Sequence, residues 1–243
     1  MKIHTKKTPI GEISSFENDS FTKQIMELGY YAEQLILDNQ LKPIIENSKI
    51  IIDIGGHVGY HSIAYARINP NAKIYTFEAQ LEMFNLLKNN VLVNNLDNII
   101  TTYNKAVGHF DGKINMSTQI TDGPNANTNI EYGTDKELNL GGVSIGFGGE
   151  EVEIIKLDSL EFDKIDYIKI DVEGAESLVL LGAEKTIKKD YPIICFEYNH
   201  KKLSNDFLIS YGFENISSPI DILKSWGYTK FTNIPYENII AEK

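Results

Sequence analysis

The apolar positions of this chain change their period as the chain advances. From Phe21 to Ile45 they recur at helical spacing (Ile25, Met26, Leu28, Leu35, Ile36, Leu41), which predicts one or two amphipathic helices interrupted near Gly29 and Pro43. Lys49–Gly59 then reads KIIIDIGGHVG, a continuous apolar run stopped by glycines, as a strand buried on both faces should. A short helix over Tyr60–Ile68 follows, closed by Pro70. The alternation continues with strands over Lys73–Phe77, Ile99–Val107, Tyr167–Ile170 and Pro192–Tyr198, and with helices over Leu81–Val93 and Ala175–Ile187. Such a sequence of elements predicts an α/β fold with a doubly wound, mostly parallel sheet. At the end a helix over Asp221–Trp226 precedes two strands, Tyr228–Thr232 and Asn238–Ala241, with no helix between them. That predicts an antiparallel hairpin on one edge. Residues 109–150 break the rhythm with TDGPNANTN and LGGVSIGFGG, a long loop of the kind that is usually functional or mobile. The expected organisation is a single domain over 1–243, with a helical segment over 1–48 and a core over 49–243 that carries the loop at 109–150.

Composition narrows the class of molecule. The 243 residues are 42% hydrophobic, enough to build a full core and too apolar for a disordered chain. Cys195 is the lone cysteine, so neither a disulfide framework nor a cysteine-based zinc cluster is available. A net charge of −11, with Arg67 as the only arginine, argues against nucleic acid as a partner. No apolar run approaches a membrane span, and MKIHTKKTPIGEI lacks the apolar stretch of a signal peptide. The expectation is a protein of the reducing cytoplasm.

The informative acids stand at strand ends: Asp53 in IIIDIGG, Glu78 in IYTFEA, Asp171 in YIKIDVEG and Glu197 in IICFEYN. A carboxylate in a buried strand costs several kcal/mol unless paired or solvated. Open α/β sheets bind ligands outside those ends. A crevice ringed by carboxylates suits a ligand with hydroxyls and positive charge and repels phosphate; alternatively each acid caps a helix or neutralises a lysine. The loop Gly55-Gly56-His57-Val58-Gly59 sits where a dinucleotide fingerprint would, but lacks the G-x-G-x-x-G spacing. Glu78 ends the next strand, where a carboxylate can accept bonds from both ribose hydroxyls. Together they point to a nucleoside.

The segments IIDIGGHVGYHS, IYTFEA, NNLDNIITTYNKAVG and IKIDVEGAESLVLLGAEKTI resemble the FkbM family of S-adenosylmethionine-dependent methyltransferases, from about Ile50 to Asn199. The resemblance implies the class I methyltransferase fold, a Rossmann-like seven-stranded sheet with one antiparallel edge strand, and S-adenosyl-L-methionine as cofactor. It assigns Asp53, Gly55, Gly56, His57 and Gly59 to the methionine side and Glu78 to the ribose. Ala79 and Gln80, with Asn104, Lys105 and Ala106, would flank the adenine. Asp171 would face the cofactor amino group or the transferred methyl. The chain departs from the family where it has Gly56-His57 in place of Ala-Asn and Ala79 in place of proline.

The resemblance further implies O-methylation, most often of sugars, and a hydroxyl is a weak nucleophile that benefits from a base. Asp171, Glu173 and His200 are the catalytic candidates, with Glu176 and Glu197 beside them. His200 has the ring suited to the work, or is an exposed loop histidine beside Lys201 and Lys202. Glu173 either reaches the crevice or caps the next helix. Glu176 reads as a first-turn acid, His61 as a core residue, and Lys169 as the partner of a carboxylate. Asp171, Glu173 and Glu197 have the oxygen chemistry of magnesium or manganese ligands, but no spacing demands an ion, and a metal-free site is expected. Residues 109–150, Asn139 among them, and Tyr30, Tyr31 and Glu33 are the expected walls of the acceptor pocket. A saccharide or small-molecule acceptor is expected, with no nucleic acid and no membrane span. A non-carbohydrate natural product, a nicotinamide-dependent oxidoreductase and a nucleoside-binding module without turnover are the alternatives.

Overall fold

The computed structural model describes residues 2–198, 203–213 and 215–243. It opens with an antiparallel hairpin, β1 (Ile3–Thr8) and β2 (Gly11–Phe16), then α1 (Ser20–Leu28), α2 (Gln34–Ile36) and, after a π-turn over Leu37–Leu41, α3 (Lys42–Glu46). The core alternates β3 (Ile50–Ile54), α4 (Tyr60–Ile68), β4 (Lys73–Phe77), α5 (Leu81–Val93) and β5 (Ile100–Tyr103). Next come β6 (Ala106–Val107), β7 (Gly112–Ser117) and β8 (Gly148–Ile155), then β9 (Tyr167–Ile170), α6 (Glu176–Leu181), α7 (Glu184–Asp190) and β10 (Ile193–Glu197). The chain finishes with α8 (Asn205–Ser210), α9 (Pro219–Ser225), β11 (Lys230–Ile234) and β12 (Asn238–Glu242).

Seven strands form the central sheet in the order β11-β12-β10-β9-β3-β4-β5. Every residue of β3 and β9 is buried, as their unbroken apolar runs require of strands covered on both faces. The core strands are mutually parallel, whereas β12 runs antiparallel to both β10 and β11. The late hairpin therefore closes one side of the sheet as expected, with its reversed strand one place in from the edge. Strand order turns back between β3 and β9, and a crevice opens at such a point.

Three expectations need correction. The segment over 1–48 is not wholly helical: Ile3–Phe16 is an antiparallel hairpin, docked on α5 through asparagines. Asn90 exchanges bonds with Ser14 N (2.9 Å) and Ser14 O (2.9 Å), and Asn94 does the same with Glu12. The stretch 109–150 is not all loop, because β7 and the start of β8 lie in it and pair in a separate three-stranded sheet with β6. The helix expected over Ala175–Ile187 is two helices divided at Gly182, where a Cβ would stand 1.7 Å from Gly108 O. Among the described residues no helix is long and apolar enough to cross a membrane.

Candidate active site

A cavity of about 460 Å³ opens outside the C-terminal ends of the strands, walled by β3, β4, β9 and β10 and by residues of α1, α4 and the 118–147 stretch. Its size is that of a pocket for one small ligand. It straddles the turn-back point between β3 and β9, so it has a β4–β5 side and a β9–β10 side.

The first side is built from backbone. Gly55 has φ +87°, and a Cβ on it would lie 1.7 Å from Asp171 O, so only glycine passes between the two strand ends. Gly55 N and Gly56 N both donate to Phe77 O (2.9 Å each), closing the loop onto β4. Glu78 is 6% exposed, and its two carboxylate oxygens accept from His57 N and Gln80 N (2.8 Å each). Burial is the largest influence on this carboxyl and pushes its pKa up to about 7 despite those amides and the nearby His57 ring. A carboxylate has lone pairs for about four bonds, so two remain for ligand hydroxyls. Asn104 Nδ2 donates to Glu78 O (3.0 Å) and Ala79 O (2.9 Å) and fixes the turn. Gln80 reaches across to the 118–147 stretch, donating to Leu140 O (3.0 Å) and accepting from Tyr132 Oη (3.0 Å).

The second side is built from charge. Lys169, 3% exposed, holds Asp171 at 2.7 Å and lies opposite Asp53 in the β3–β9 register. Burial opposes its charge, but Asp171, Asp53 and Glu33 together keep its pKa well above the ordinary lysine value. Glu33 is likewise desolvated, yet His61, with Nε2 3.0 Å from Glu33 Oε2, holds it below the usual carboxylate range. Tyr31 Oη donates to Glu33 Oε1 at 3.1 Å. Glu173 adopts φ +57° in the turn before Gly174 and accepts from Thr121 Oγ1 (3.1 Å). Carboxylate oxygens of Asp171, Glu173 and Glu197 come within 4.8 Å of one another, and exposed acids gather in this way without any ion as well.

Residues 53–229 match the sequence profile of the methyltransferase FkbM domain, which is most of the chain. It belongs to the FkbM methyltransferase-domain family. Its sheet is that of the class I methyltransferase fold. The structure of methyltransferase FkbM from Methylobacillus flagellatus KT superposes with a TM-score of 0.51 at 16% identity, over 81% of this chain. The match spans 44% of that longer protein. A proposed caffeoyl-CoA O-methyltransferase from Staphylococcus aureus gives 0.46 at 17% identity, covering 93% of both chains. An O-methyltransferase family protein from Burkholderia thailandensis gives 0.46 at 9%, over 92% of this chain and 58% of its own. No curated protein sequence matches.

Within this FkbM domain Gly55, Gly56, His57, Glu78, Ala79, Gln80, Lys105, Ala106, Asp171 and Glu173 lie on the cavity wall. Asp53, Gly59 and Asn104 do not. Asp53 is 0% exposed behind the wall, where it accepts from Ser62 Oγ (2.5 Å), and burial raises its pKa against the pull of Lys169. Gly59, at φ +88°, caps α4, and Asn104 braces the Glu78 turn. Glu176 also turns away: it accepts from Val172 N (3.3 Å) and Gly174 N (3.1 Å), and burial lifts its pKa to about 7. His200 lies outside the described residues. The sequence reading missed Phe21, Tyr60 and Glu237 and took His61 for core, whereas all four are on the wall. Tyr60 and His61 were findable, since they open the helix that follows the glycine loop; Phe21 reads as an ordinary core residue, because its ring is buried in an aromatic cluster.

Proposed function

We propose that this FkbM domain moves a methyl group from S-adenosyl-L-methionine to a hydroxyl, with a sugar or glycan as acceptor, and works in the cytoplasm. The supporting observation is one cavity that joins a glycine cradle and the Glu78 carboxylate at one end to an acid-rich wall at the other. Residues present fit this cofactor. Gly55 and Gly56 present side-chain-free backbone on the cavity wall, Glu78 keeps two acceptor sites for ribose hydroxyls, and carboxylates outnumber lysines along the wall. When bound, the cofactor supplies an activated methyl on a positively charged sulfur.

The chain's own contribution is placement. Gly55 and Gly56 let backbone approach the methionine side, and Glu78 with Gln80 fixes the nucleoside. Ala79, Lys105 and Ala106 close the base pocket. Asp171, anchored by Lys169 at 2.7 Å, stands beyond the turn-back point, where the amino group or the methyl would lie. Holding nucleophile, methyl and sulfur in line contributes up to about 7–11 kcal/mol in favourable cases. Glu173 and Glu197, beside Asp171, are placed to take the hydroxyl proton as the new bond forms. Transfer of labelled methyl from S-adenosylmethionine to a glycoside tests the proposal. Binding of a nicotinamide dinucleotide, with no binding of S-adenosylhomocysteine, would refute it.

A further inference from the structure

The 118–147 stretch meets the nucleoside end of the cavity at Leu140. Leu140 O accepts from Gln80 Nε2 (3.0 Å), and Leu140 N donates to Asp19 Oδ1 (3.3 Å). Asp19 Oδ2 in turn lies 3.0 Å from His57 Nε2, and a Cβ on Gly141 would stand 3.4 Å from the same ring. Gln80 and His57 are the residues whose backbone amides hold the Glu78 carboxylate. The links therefore close on themselves, from Glu78 through Gln80 to Leu140 and back through Asp19 and His57. Glu78, Gln80, Asp19 and Leu140 are all buried, where such bonds meet little competition from water. Both ends of the Gln80 amide turn toward the stretch, since its oxygen accepts from Tyr132 Oη (3.0 Å). The side chain expected beside the adenine is thus a strut between two walls.

The same stretch reaches the reacting end of the cavity. Just beyond Leu140, Gly142 O accepts from Thr121 N (2.7 Å), and Thr121 Oγ1 donates to Glu173 Oε2 (3.1 Å). Asn139, Gly141 and Val143, which surround Leu140 in the chain, line the cavity themselves. Burial opposes charge on the His57 ring, but Asp19, Glu78 and Asp171 hold its pKa above the ordinary histidine value, which favours an ion pair with Asp19. Ribose hydroxyls that donate to Glu78 favour its ionised form, and an ionised carboxylate draws its amide donors in more strongly. A change at Glu78 is thereby passed to both the N–H and the carbonyl of Leu140.

We propose that Gln80 and His57 are positioning residues that couple the two ends of the cavity: a nucleoside on Glu78 fixes Leu140, and with it the Gly142–Thr121–Glu173 link at the acceptor end. This rests on the methyl-transfer reading above. The methyl donor then completes the wall that the acceptor meets, so the acceptor binds best after the donor. Such coupling is reciprocal, and a bound acceptor tightens the donor by the same factor, about 5–150-fold in typical cases.

The test is hydrogen exchange of the full chain, read by mass spectrometry with and without S-adenosylhomocysteine. In the wild-type chain, exchange over 138–143 is expected to slow about tenfold or more when the ligand saturates. In Gln80→Leu, at concentrations that saturate the variant, that slowing is expected to vanish although the cavity is filled. A strut with a merely structural role would speed the free and bound states alike and preserve the slowing. Tyr132→Phe keeps its ring on Phe16 and removes one bond to Gln80, so it decides the matter if Gln80→Leu does not fold. Its slowing is expected to be smaller than that of the wild type by about threefold or more. No slowing in a wild-type chain that binds the ligand overturns the proposal, as does slowing of wild-type size in either variant. Failure of S-adenosylhomocysteine to bind the wild-type chain by calorimetry would instead remove the methyl-transfer reading beneath it, and the proposal with it.

Discussion

On the β4–β5 side of the cavity, the lining comes from strand ends and tight turns close together in the chain: the glycine loop after β3, the Glu78 turn after β4, and Lys105–Val107 after β5. On the β9–β10 side it is gathered from α1 and the residues after it, from α4, from Asp122 and Asn139, from the Asp171 turn, and from the β11–β12 hairpin. The first side fixes its carboxylate with backbone amides; the second balances buried charges against one another. A nucleoside is the same in every reaction that uses it, so a rigid, locally encoded wall suits it. On the proposed reading the second side faces the acceptor, which varies, and it is assembled from segments free to vary independently.

The sharpest way to break this division is at the point both sides share. Gly55→Ala puts a Cβ 1.7 Å from Asp171 O at a φ of +87°. It should weaken S-adenosylhomocysteine binding more than about 100-fold by calorimetry, with a lowered melting temperature. A variant that binds normally would mean the two strand ends are not pressed together. Lys169→Met should act on the second side alone: Asp171, Asp53 and Glu33 lose their common cation. Breaking a buried pair in this way costs about 3–5 kcal/mol, measurable by denaturant unfolding.

Protonation sharpens the contrast from the first side. The free-protein pKa of Glu78, near 7 because of burial, is above the ordinary value of 4.5. A carboxyl raised in the folded state contributes stability that is present below pH 4.5 and lost as pH climbs through about 7. Ribose hydroxyls favour the ionised form, so ligand binding should release a proton and tighten by up to about tenfold per unit as pH rises toward 7, then level off. Calorimetry in two buffers of different ionisation enthalpy reads that proton directly. Glu176→Gln, which removes a second carboxyl with a pKa near 7 that faces away from the cavity, should leave the linkage intact. The smallest effect is expected at Asp19. Its side chain caps α1 by accepting from Phe21 N and lies 3.0 Å from His57 Nε2. Asp19→Ala should cost about 1–2 kcal/mol in unfolding experiments and loosen the acceptor wall more than the nucleoside wall.

What was legible in the sequence follows the same boundary. The runs ending in Asp53, Glu78, Asp171 and Glu197 announced the sheet and the side of it that carries the site, because a buried strand cannot end in a carboxylate without a reason. Asp53 shows the limit: its reason is Ser62 behind the wall and Lys169 on the neighbouring strand, a partnership made across the fold that no linear spacing encodes. The hairpin Ile3–Phe16 escaped notice because Asn90 and Asn94 of a distant helix supply its partners. Phe21, buried among other rings, carries no local mark that separates a pocket wall from core. Gly182 was hidden in a helical pattern for a similar reason, since the Gly108 carbonyl that forbids a side chain there lies far away in sequence.

The most direct test is a calorimetric titration of S-adenosylhomocysteine into the wild-type chain and into Glu78→Ala. One-to-one micromolar binding that is lost in the variant is the expected result. A wild-type chain that takes up no ligand, or a variant that binds as well as wild type, would contradict the assignment of this cavity.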